Sequence, residues 1–301
     1  MFRKRGKRGG EATRLFYACD IHGSEPTYRK FLNAAKFYEV DALVFGGDLM
    51  GKLLVPIVRD GGEWRAGLHG QKHHLTTPVE LAAFKKSLDT LGFYWFECDT
   101  DEYQWYEGHQ DRIDQKFDEL AKARLAEWVE LAENRLAGSH VRVYLCGGND
   151  DTERVLSALD EVPLDRVVNC ENRIVPLDDD HTMATIGYST PTPWDTPRER
   201  TDEQIGEVGH PVSFERGSES RNGAVQFSHD QPTLVELVVE VVRTLRPLPH
   251  LVVGTGDLAN EREIMGGGRA CLHSARSTRW PGLIAFWRDT SFELMALFRR
   301  G

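Results

Sequence analysis

The chain has 301 residues, of which 40% are apolar, 28% are charged and 10% are aromatic. This composition excludes an intrinsically disordered protein, and no apolar run approaches the roughly 20 residues that cross a membrane, so we expect a soluble, folded protein. With 37 basic and 47 acidic residues the net charge is −10. This charge repels nucleic acid, so a phosphate-bearing partner has to be met by a local positive site such as a bound metal or the basic tail.

The first 13 residues are rich in lysine, arginine and glycine, and no apolar segment typical of a secretory signal follows them. We interpret residues 1–13 as a solvated, disordered tail, with a nucleic-acid-binding arm as the alternative. The five cysteines are widely spaced and form no Cys-x-x-Cys pair. They therefore predict neither a disulfide framework nor a zinc knuckle, and the reducing cytoplasm fits them best.

Two apolar runs near the start of the chain predict buried strands that end in polar residues. The first, 15–19, is followed by Asp20 and His22, and the second, 42–45, is followed by Asp48. A helix is predicted between them. Strand, helix and strand in this order indicate a βαβ unit, which binds its ligands at the carboxyl ends of its parallel strands.

The next part of the chain, about 52–139, is charged and aromatic, and the apolar spacing within 117–132 predicts a long amphipathic helix. We interpret this part as a largely helical insertion. A third strand, 141–145, then precedes Asn149 and Asp150. The strand and its polar end repeat the pattern of the first two.

Later apolar runs predict strands at 183–186, 224–227, 251–253 and 283–287, and a helix at 234–245. The loop after the first of these strands contains three prolines, which prevent regular structure there. No boundary separates two apolar cores. We therefore predict a single α/β domain from residue 14 to residue 301.

Side chains able to bind a metal recur where the predicted strands end: Asp20, His22, Asp48, Asn149 and His229. Carboxylate, amide and imidazole donors suit manganese, iron, zinc or magnesium ions. Each residue alone has an ordinary interpretation, since a histidine at a strand end is often a hydrogen-bonded structural residue and a Gly-Asp pair is often a turn. Their joint position at strand ends favours a metal centre.

Four motifs follow one another along the chain: Asp20-Ile21-His22, Gly47-Asp48, Gly148-Asn149-Asp150-Asp151 and, later, His229. Their order and apolar flanks resemble those of the calcineurin-like metallophosphoesterases, and the proline loop at 187–197 is similar to one in the Icc-related branch of that superfamily. The resemblance extends from about residue 14 to the end of the chain. It implies a four-layer α/β/β/α sandwich with two metal ions at one edge, which hydrolyses a phosphomonoester or a phosphodiester.

The resemblance also implies a role for each matching residue. Asp20 and His22 would hold the first ion, Asp48 would bridge both ions, and Asn149 and His229 would hold the second. Two divalent cations that share a carboxylate polarise a phosphoryl oxygen and activate water for attack on phosphorus. The implied partner is a small phosphorylated substrate such as a nucleotide, and neither nucleic acid nor a membrane is implied.

Asp150 occupies the position at which most of the family has a histidine that helps to protonate the leaving group or to stabilise the phosphate. Beside two cations a carboxyl group stays ionised, because nearby positive charge favours its charged form. Asp150 would then be a poor general acid. We expect it to act as a catalytic-site residue close to the phosphate, or alternatively to orient water or a neighbouring basic group.

The end of the chain departs more strongly from the family. The final Gly-His-x-His motif would follow the strand at 251–253, where this sequence has Gly254-Thr255-Gly256-Asp257. Asp257 can still bind the first ion, because a carboxylate can replace imidazole for manganese or magnesium, but Thr255 is a poor substitute. The alternative function is therefore a phosphoesterase-like binding or regulatory protein that has lost turnover.

Overall fold

The computed structural model describes residues 13–161, 164–178, 182–189, 191, 195–201 and 204, and, as strand backbone, 251–255, 270–274, 276–277, 280–281, 284–286 and 292–296. The predicted basic tail up to residue 12, the strand at 224–227 and the helix at 234–245 lie outside these residues. Of the helices in the described part of the chain, none is both long enough and apolar enough to cross a bilayer.

Most of the helical structure in the described part of the chain lies in its first half. Its elements are β1 (Thr13–Ala18), α1 (Glu25–Phe37), β2 (Ala42–Gly46), β3 (Leu54–Asp60), β4 (Glu63–Leu68), β5 (Gln71–Leu75), α2 (Pro78–Leu91), β6 (Tyr94–Cys98), α3 (Thr100–Glu107) and α4 (Gln110–Leu136). The elements described in the second half are β7 (Arg142–Cys146), α5 (Glu153–Leu156), α6 (Ala158–Glu161), β8 (Val167–Asn169), β9 (Ile174–Pro176), β10 (Thr182–Ile186), β11 (Leu251–Thr255), β12 (Ala270–Ser274), β13 (Arg276–Ser277), β14 (Trp280–Pro281), β15 (Ile284–Phe286) and β16 (Phe292–Ala296).

The first sheet has five parallel strands in the order β16-β1-β2-β7-β8. All five residues of β2 are buried, as expected for a strand in a parallel sheet that is covered on both faces. The register pairs Ala18 with Phe45, and Gly46 with Cys146. Strands β1, β2 and β7 therefore end at the same edge, and the polar loops that follow them meet there.

Helices α1 and α4 cover one face of this sheet. Phe16 and Phe45 pack in one cluster with Phe31 of α1 and Trp128 of α4. Tyr28 stacks on Trp128 with 4.4 Å between the ring centroids, and its hydroxyl donates a hydrogen bond to the Trp128 carbonyl at 3.0 Å. The long amphipathic helix predicted from the apolar spacing is confirmed in α4.

The second sheet has the order β15-β12-β11-β10-β9 and mixes parallel with antiparallel pairs. It packs on the other face of the first sheet, where Leu15, Tyr17 and Val44 form a cluster with Val175 and Met183. The layers are thus helices, sheet and sheet, which confirms the predicted α/β class. The described residues do not define the second helical layer of the predicted four-layer sandwich.

Residues 52–139, which the sequence predicted to be a largely helical insertion, also contain strands that the prediction did not include. They contain a four-stranded sheet in the order β5-β4-β3-β6 besides the three helices. A signal for the hairpins is present in the turns: Gly61 and Gly62 both have positive φ, as do His69 and Gly70, and such pairs are typical of two-residue hairpin turns. The six residues of β4 alternate between exposed and more buried positions, which is also a strand signal, but the charged and aromatic composition of this part of the chain was interpreted as helical.

Direct backbone contact joins the insertion to the loops that follow β1 and β2. A Cβ atom at Gly92 would lie 1.8 Å from the carbonyl oxygen of His22, and one at Gly51 would lie 1.8 Å from the carbonyl oxygen of Gly92. Arg124 of α4 donates a hydrogen bond to the Gly23 carbonyl at 3.1 Å. The insertion is therefore packed against the loop that carries His22.

Candidate metal centre

The loops after β1 and β2 bring three of the predicted ligands together. Asp20, His22 and Asp48 each offer one donor atom such that all three atoms lie within 4.8 Å of one another. The His22 Nε2 atom is 4.0 Å from Asp20 Oδ1 and 3.8 Å from Asp48 Oδ2. Bonds from zinc to such donors are about 2.0–2.2 Å long, so two donors on one ion can be up to roughly 4.4 Å apart. The two measured separations fit a single ion.

The chemistry of the three donors also fits a divalent cation. Two carboxylates with one imidazole suit manganese, iron or zinc better than an ion that prefers thiolates. The Asp48 side chain is only 6% exposed, whereas that of Asp20 is 32% exposed. The group is therefore buried at Asp48 and exposed to solvent at Asp20. A site that binds a ligand from solution needs such an exposed side.

The backbone at these three residues is strained. Asp20, His22 and Asp48 have φ values of 57°, 44° and 56°, and this left-handed conformation costs a residue other than glycine about 1 kcal/mol or more. Hydrogen bonds between the loops maintain it: the Asp20 N–H donates to the Gly47 carbonyl and the His22 N–H to the Asp48 carbonyl, both at 3.0 Å. Strain concentrated at three converging donor residues is typical of a functional site.

The electrostatics of Asp48 favour a cation beside it. Burial raises the pKa of its carboxyl group well above the usual value, and the charges of Asp20, Asp151 and Asp150 raise it further. Carboxyl groups crowded in this way destabilise one another's charged forms. A divalent cation would be the largest local charge and would reverse that effect.

Asp151 connects the loop after β2 to the loop after β7. It is fully buried, and its carboxylate accepts hydrogen bonds from the backbone N–H groups of Leu49 at 3.1 Å, Met50 at 2.7 Å and Gly148 at 2.7 Å. The sequence motif contained Asp151 but indicated no role for it. The role is structural, because all three donors are backbone groups that fix the two loops beside Asp48.

Asn149 lies in the loop after β7, between two residues that contact Asp48. A Cβ atom at Gly148 would lie 2.2 Å from Asp48 Oδ1, and the Asp150 N–H donates to that same oxygen at 3.3 Å. The Asn149 Nδ2 atom donates to Thr196 Oγ1 at 3.0 Å. Since its nitrogen is engaged there, the amide oxygen is the atom of Asn149 that can serve as a metal ligand.

Comparison with known proteins assigns this geometry to no family. No protein-family model, no curated protein and no solved structure matches the chain. The resemblance to the calcineurin-like metallophosphoesterases therefore stays a prediction from four short motifs. The function of the site has to follow from its own donor atoms and charges.

A buried arginine, which the sequence analysis missed, forms hydrogen bonds with the backbone of the loop that carries Asn149. Arg198 is 1% exposed; its guanidinium donates to the Glu171 carboxylate and, at 3.2 Å, to the Gly148 carbonyl. Its backbone N–H donates to the Asn149 carbonyl at 3.0 Å. Nothing in the sequence around Arg198 distinguishes it from a surface arginine, because the acids that it pairs with, Glu171 and Glu153, are 27 and 45 residues away.

Two of the predicted ligands, His229 and Asp257, lie outside the described residues. Thr255 is the last residue of β11, which pairs in parallel with β10 and β12, and only its backbone is described. Asp20, His22 and Asp48 form a group that could hold one ion. A second ion, which would need His229, stays a prediction.

The buried carboxyl groups predict how the stability of the metal-free protein depends on pH. Burial raises the pKa of Asp151 to about 6, and it also raises the pKa of Asp48. In the unfolded chain an aspartate titrates near about 3.9. The folded state therefore retains protons that the unfolded state has lost, so these two groups cost no stability below about pH 4 and destabilise the fold increasingly as the pH rises above that value. The cost from Asp151 levels off once the pH exceeds its folded pKa of about 6, whereas the cost from Asp48 grows until the pH reaches its own raised pKa.

We expect this effect to appear in the comparison of the wild type with Asp48→Asn, both freed of metal with a chelator. The amide cannot ionise, so the stability of the variant relative to the wild type should rise between pH 5 and pH 8 in thermal unfolding. A difference in melting temperature that is constant over this range would contradict the raised pKa of Asp48.

Proposed function

We propose that this protein is a metal-dependent phosphoesterase that hydrolyses a phosphomonoester or phosphodiester with water. One observation carries the proposal: Asp20, His22 and Asp48, from the ends of two neighbouring parallel strands, present donor atoms within 4.8 Å of one another. Such an edge of an α/β sheet is where ligands bind. The proposal includes the four-layer sandwich and the small phosphorylated substrate that the sequence motifs imply.

The protein residues have distinct tasks in this proposal. A divalent ion at the centre supplies Lewis acidity, which polarises a phosphoryl oxygen and activates water. Asp20, His22 and Asp48 would hold the ion, and the buried Asp48 would fix its position. Asn149 and His229, together with Asp48, would hold a second ion. Little covalent chemistry is left for the protein, because phosphoryl transfer depends mainly on positioning and charge.

The charge of the site supports a phosphate ester as substrate only when metal is bound. Asp20, Asp48, Asp150 and Asp151 repel an anion by themselves, and the chain as a whole carries a net charge of −10. A divalent ion offsets two of these charges and attracts the phosphoryl group. We therefore expect substrate binding and metal binding to be tightly linked.

The decisive experiment combines elemental analysis with turnover. The purified chain should contain manganese, iron or zinc, and it should hydrolyse p-nitrophenyl phosphate or bis-p-nitrophenyl phosphate. Removal of the ion with a chelator should reduce the rate at least about 100-fold, since the ion supplies several kcal/mol of charge stabilisation, and Mn²⁺ should restore it. A chain that binds none of these ions and shows no turnover with either substrate would contradict the proposal.

The alternative function, a binding or regulatory protein without turnover, is tested at the end of β11. The double variant Thr255→His/Asp257→His restores the imidazoles that the family motif contains. If it is active where the natural chain is inactive, the natural chain has lost turnover. If the natural chain is as fast as the double variant, the alternative is refuted.

A further inference from the structure

A lysine lies beside the candidate metal centre, and neither the sequence motifs nor the metal ligands account for it. Lys52 follows β2 in the same loop as Asp48, and its Nζ atom is 2.6 Å from Asp150 Oδ2. The Lys52 side chain is 44% exposed, whereas that of Asp150 is 14% exposed. The ammonium group is thus held by Asp150 and is also partly exposed to solvent.

The contacts of Asp150 locate this ammonium group relative to the metal ligands. The same Oδ2 atom that pairs with Lys52 is 3.7 Å from His22 Nδ1, and the Asp150 N–H donates to Asp48 Oδ1 at 3.3 Å. One carboxylate oxygen therefore joins the ammonium group of Lys52 to the imidazole of His22. The ammonium group therefore stands at the rim of the group formed by Asp20, His22 and Asp48.

The backbone next to Lys52 is held by the insertion. The Gly51 N–H donates a hydrogen bond to the Tyr94 hydroxyl at 2.9 Å, and Gly51 packs directly on the Gly92 carbonyl. The insertion therefore fixes the backbone of the loop next to Lys52, and the lysine side chain extends from this fixed backbone. A fixed backbone leaves only the side chain of Lys52 to be ordered when the ammonium group binds a ligand.

The charges around the metal centre indicate a role for this lysine. Among the described lysines and arginines, Lys52 is the one that forms an ion pair with Asp150, one of the carboxyl groups crowded around Asp48. An ammonium group has three donors and no acceptor, and its charged hydrogen bonds to phosphate oxygens are strong. A partly exposed ammonium next to a metal centre is placed to bind an anion that also contacts the metal.

We propose that Lys52 binds the phosphoryl group of the substrate at the rim of the metal centre, and that Asp150 positions it. The inference rests on the proposed phosphoesterase function and adds a substrate-binding residue to it. It also assigns Asp150 the task of orienting a basic group, which was one of the alternatives for the residue that replaces the family's histidine. A simpler role competes with it, namely that Lys52 only neutralises Asp150.

Binding of inorganic phosphate to the Mn²⁺-loaded protein tests the inference by calorimetry. Lys52→Met keeps the apolar stem and removes the charge, so the dissociation constant of phosphate should rise about 10- to 100-fold, the loss expected for one charged hydrogen bond. The KM for p-nitrophenyl phosphate should rise by a similar factor. Affinity for Mn²⁺ should not fall, because the variant removes a positive charge and no metal ligand.

A matched control exists on the helices of the same domain. Lys122 is 31% exposed and pairs with Glu161 at 2.6 Å, the same distance as in the Lys52 pair. Neither residue has a place in the proposed site. Lys122→Met should leave phosphate binding, Mn²⁺ binding and turnover unchanged, so a general effect of losing one surface charge is excluded.

The double variant Lys52→Met/Asp150→Asn separates direct binding from neutralisation. If Lys52 only neutralises Asp150, removal of both charges should restore the phosphate affinity of the wild type. If Lys52 contacts phosphate, the affinity should stay at least about 10-fold weaker, because the hydrogen bond is still missing. Restored affinity in the double variant would overturn the inference.

Failure of the inference can be distinguished from failure of the proposed function. A wild type that binds Mn²⁺ and turns over, but whose phosphate affinity does not change in Lys52→Met, would overturn the inference alone. So would an Mn²⁺-loaded wild type that binds no inorganic phosphate. The absence of both metal binding and turnover would overturn the proposed function and the inference with it.

Discussion

Replacement of Asp48 by asparagine is expected to reduce phosphoester hydrolysis about 1,000-fold and to weaken Mn²⁺ binding severely. The carboxylate is the buried member of the three donors, 3.8 Å from His22 Nε2, and the amide that replaces it carries no charge. Loss of about 4 kcal/mol of charge stabilisation in the transition state corresponds to this factor in rate. Steady-state kinetics with bis-p-nitrophenyl phosphate and elemental analysis of the variant measure both effects.

The fold should survive this change, so the loss can be attributed to the site. Asparagine has nearly the same shape, and its Oδ1 atom can still accept the hydrogen bond from the Asp150 N–H. Asp60→Asn is a suitable control, because Asp60 is an exposed residue of the insertion that pairs with Arg65 at 2.7 Å. If Asp48→Asn retains both metal and turnover while Asp60→Asn behaves identically, Asp48 is not a ligand.

The second large effect is expected for Asp151→Ala, and it concerns stability as well as metal binding. The substitution leaves the buried N–H groups of Leu49, Met50 and Gly148 without their carboxylate acceptor. At about 1–3 kcal/mol for each unsatisfied buried group, the free energy of unfolding should fall by roughly 4 kcal/mol. For a domain of this size the melting temperature should fall by roughly 10 °C.

Glu133 provides the matched control for Asp151. Its carboxylate also accepts hydrogen bonds from three backbone N–H groups, those of Asp165, Arg166 and Val167, at 2.8 to 3.0 Å. It does so at the start of β8, away from the metal centre. Glu133→Ala should destabilise the fold but leave the Mn²⁺ affinity unchanged. Asp151→Ala should reduce both the stability of the fold and the Mn²⁺ affinity. Equal Mn²⁺ affinities in the two variants would show that the Asp151 contacts do not hold the site together.

The features that the sequence predicted depend on short stretches of the chain. An apolar run of four or five residues followed by Asp20 or Asp48 specifies a strand and its polar end without any distant contact. The spacing of buried residues in α4 is likewise local. Hairpin turns at Gly61 and Gly70 carried an equally local signal, as did the alternation in β4, but the charged and aromatic composition of this part of the chain was interpreted as helical.

The contacts that complete the site join residues far apart in the chain. Lys52 and Asp150, like Asp151 and the N–H groups of Leu49 and Met50, are separated by about 100 residues. Arg198 and Glu171 are separated by 27. No periodicity or composition relates such residues, so neither the ammonium group beside the metal centre nor the buried carboxylate that joins two loops could be inferred beforehand.

By itself the amino-acid sequence determined the α/β class, the strand ends and the donor residues at them, because apolar runs and the polar residues that end them act over a few neighbouring residues. The tertiary structure alone decided which donors lie within reach of one ion. It also decided that the insertion contains a sheet and that Lys52 stands at the rim. The reason is that the register of parallel strands and the packing of the loops between them are set by burial across the whole domain.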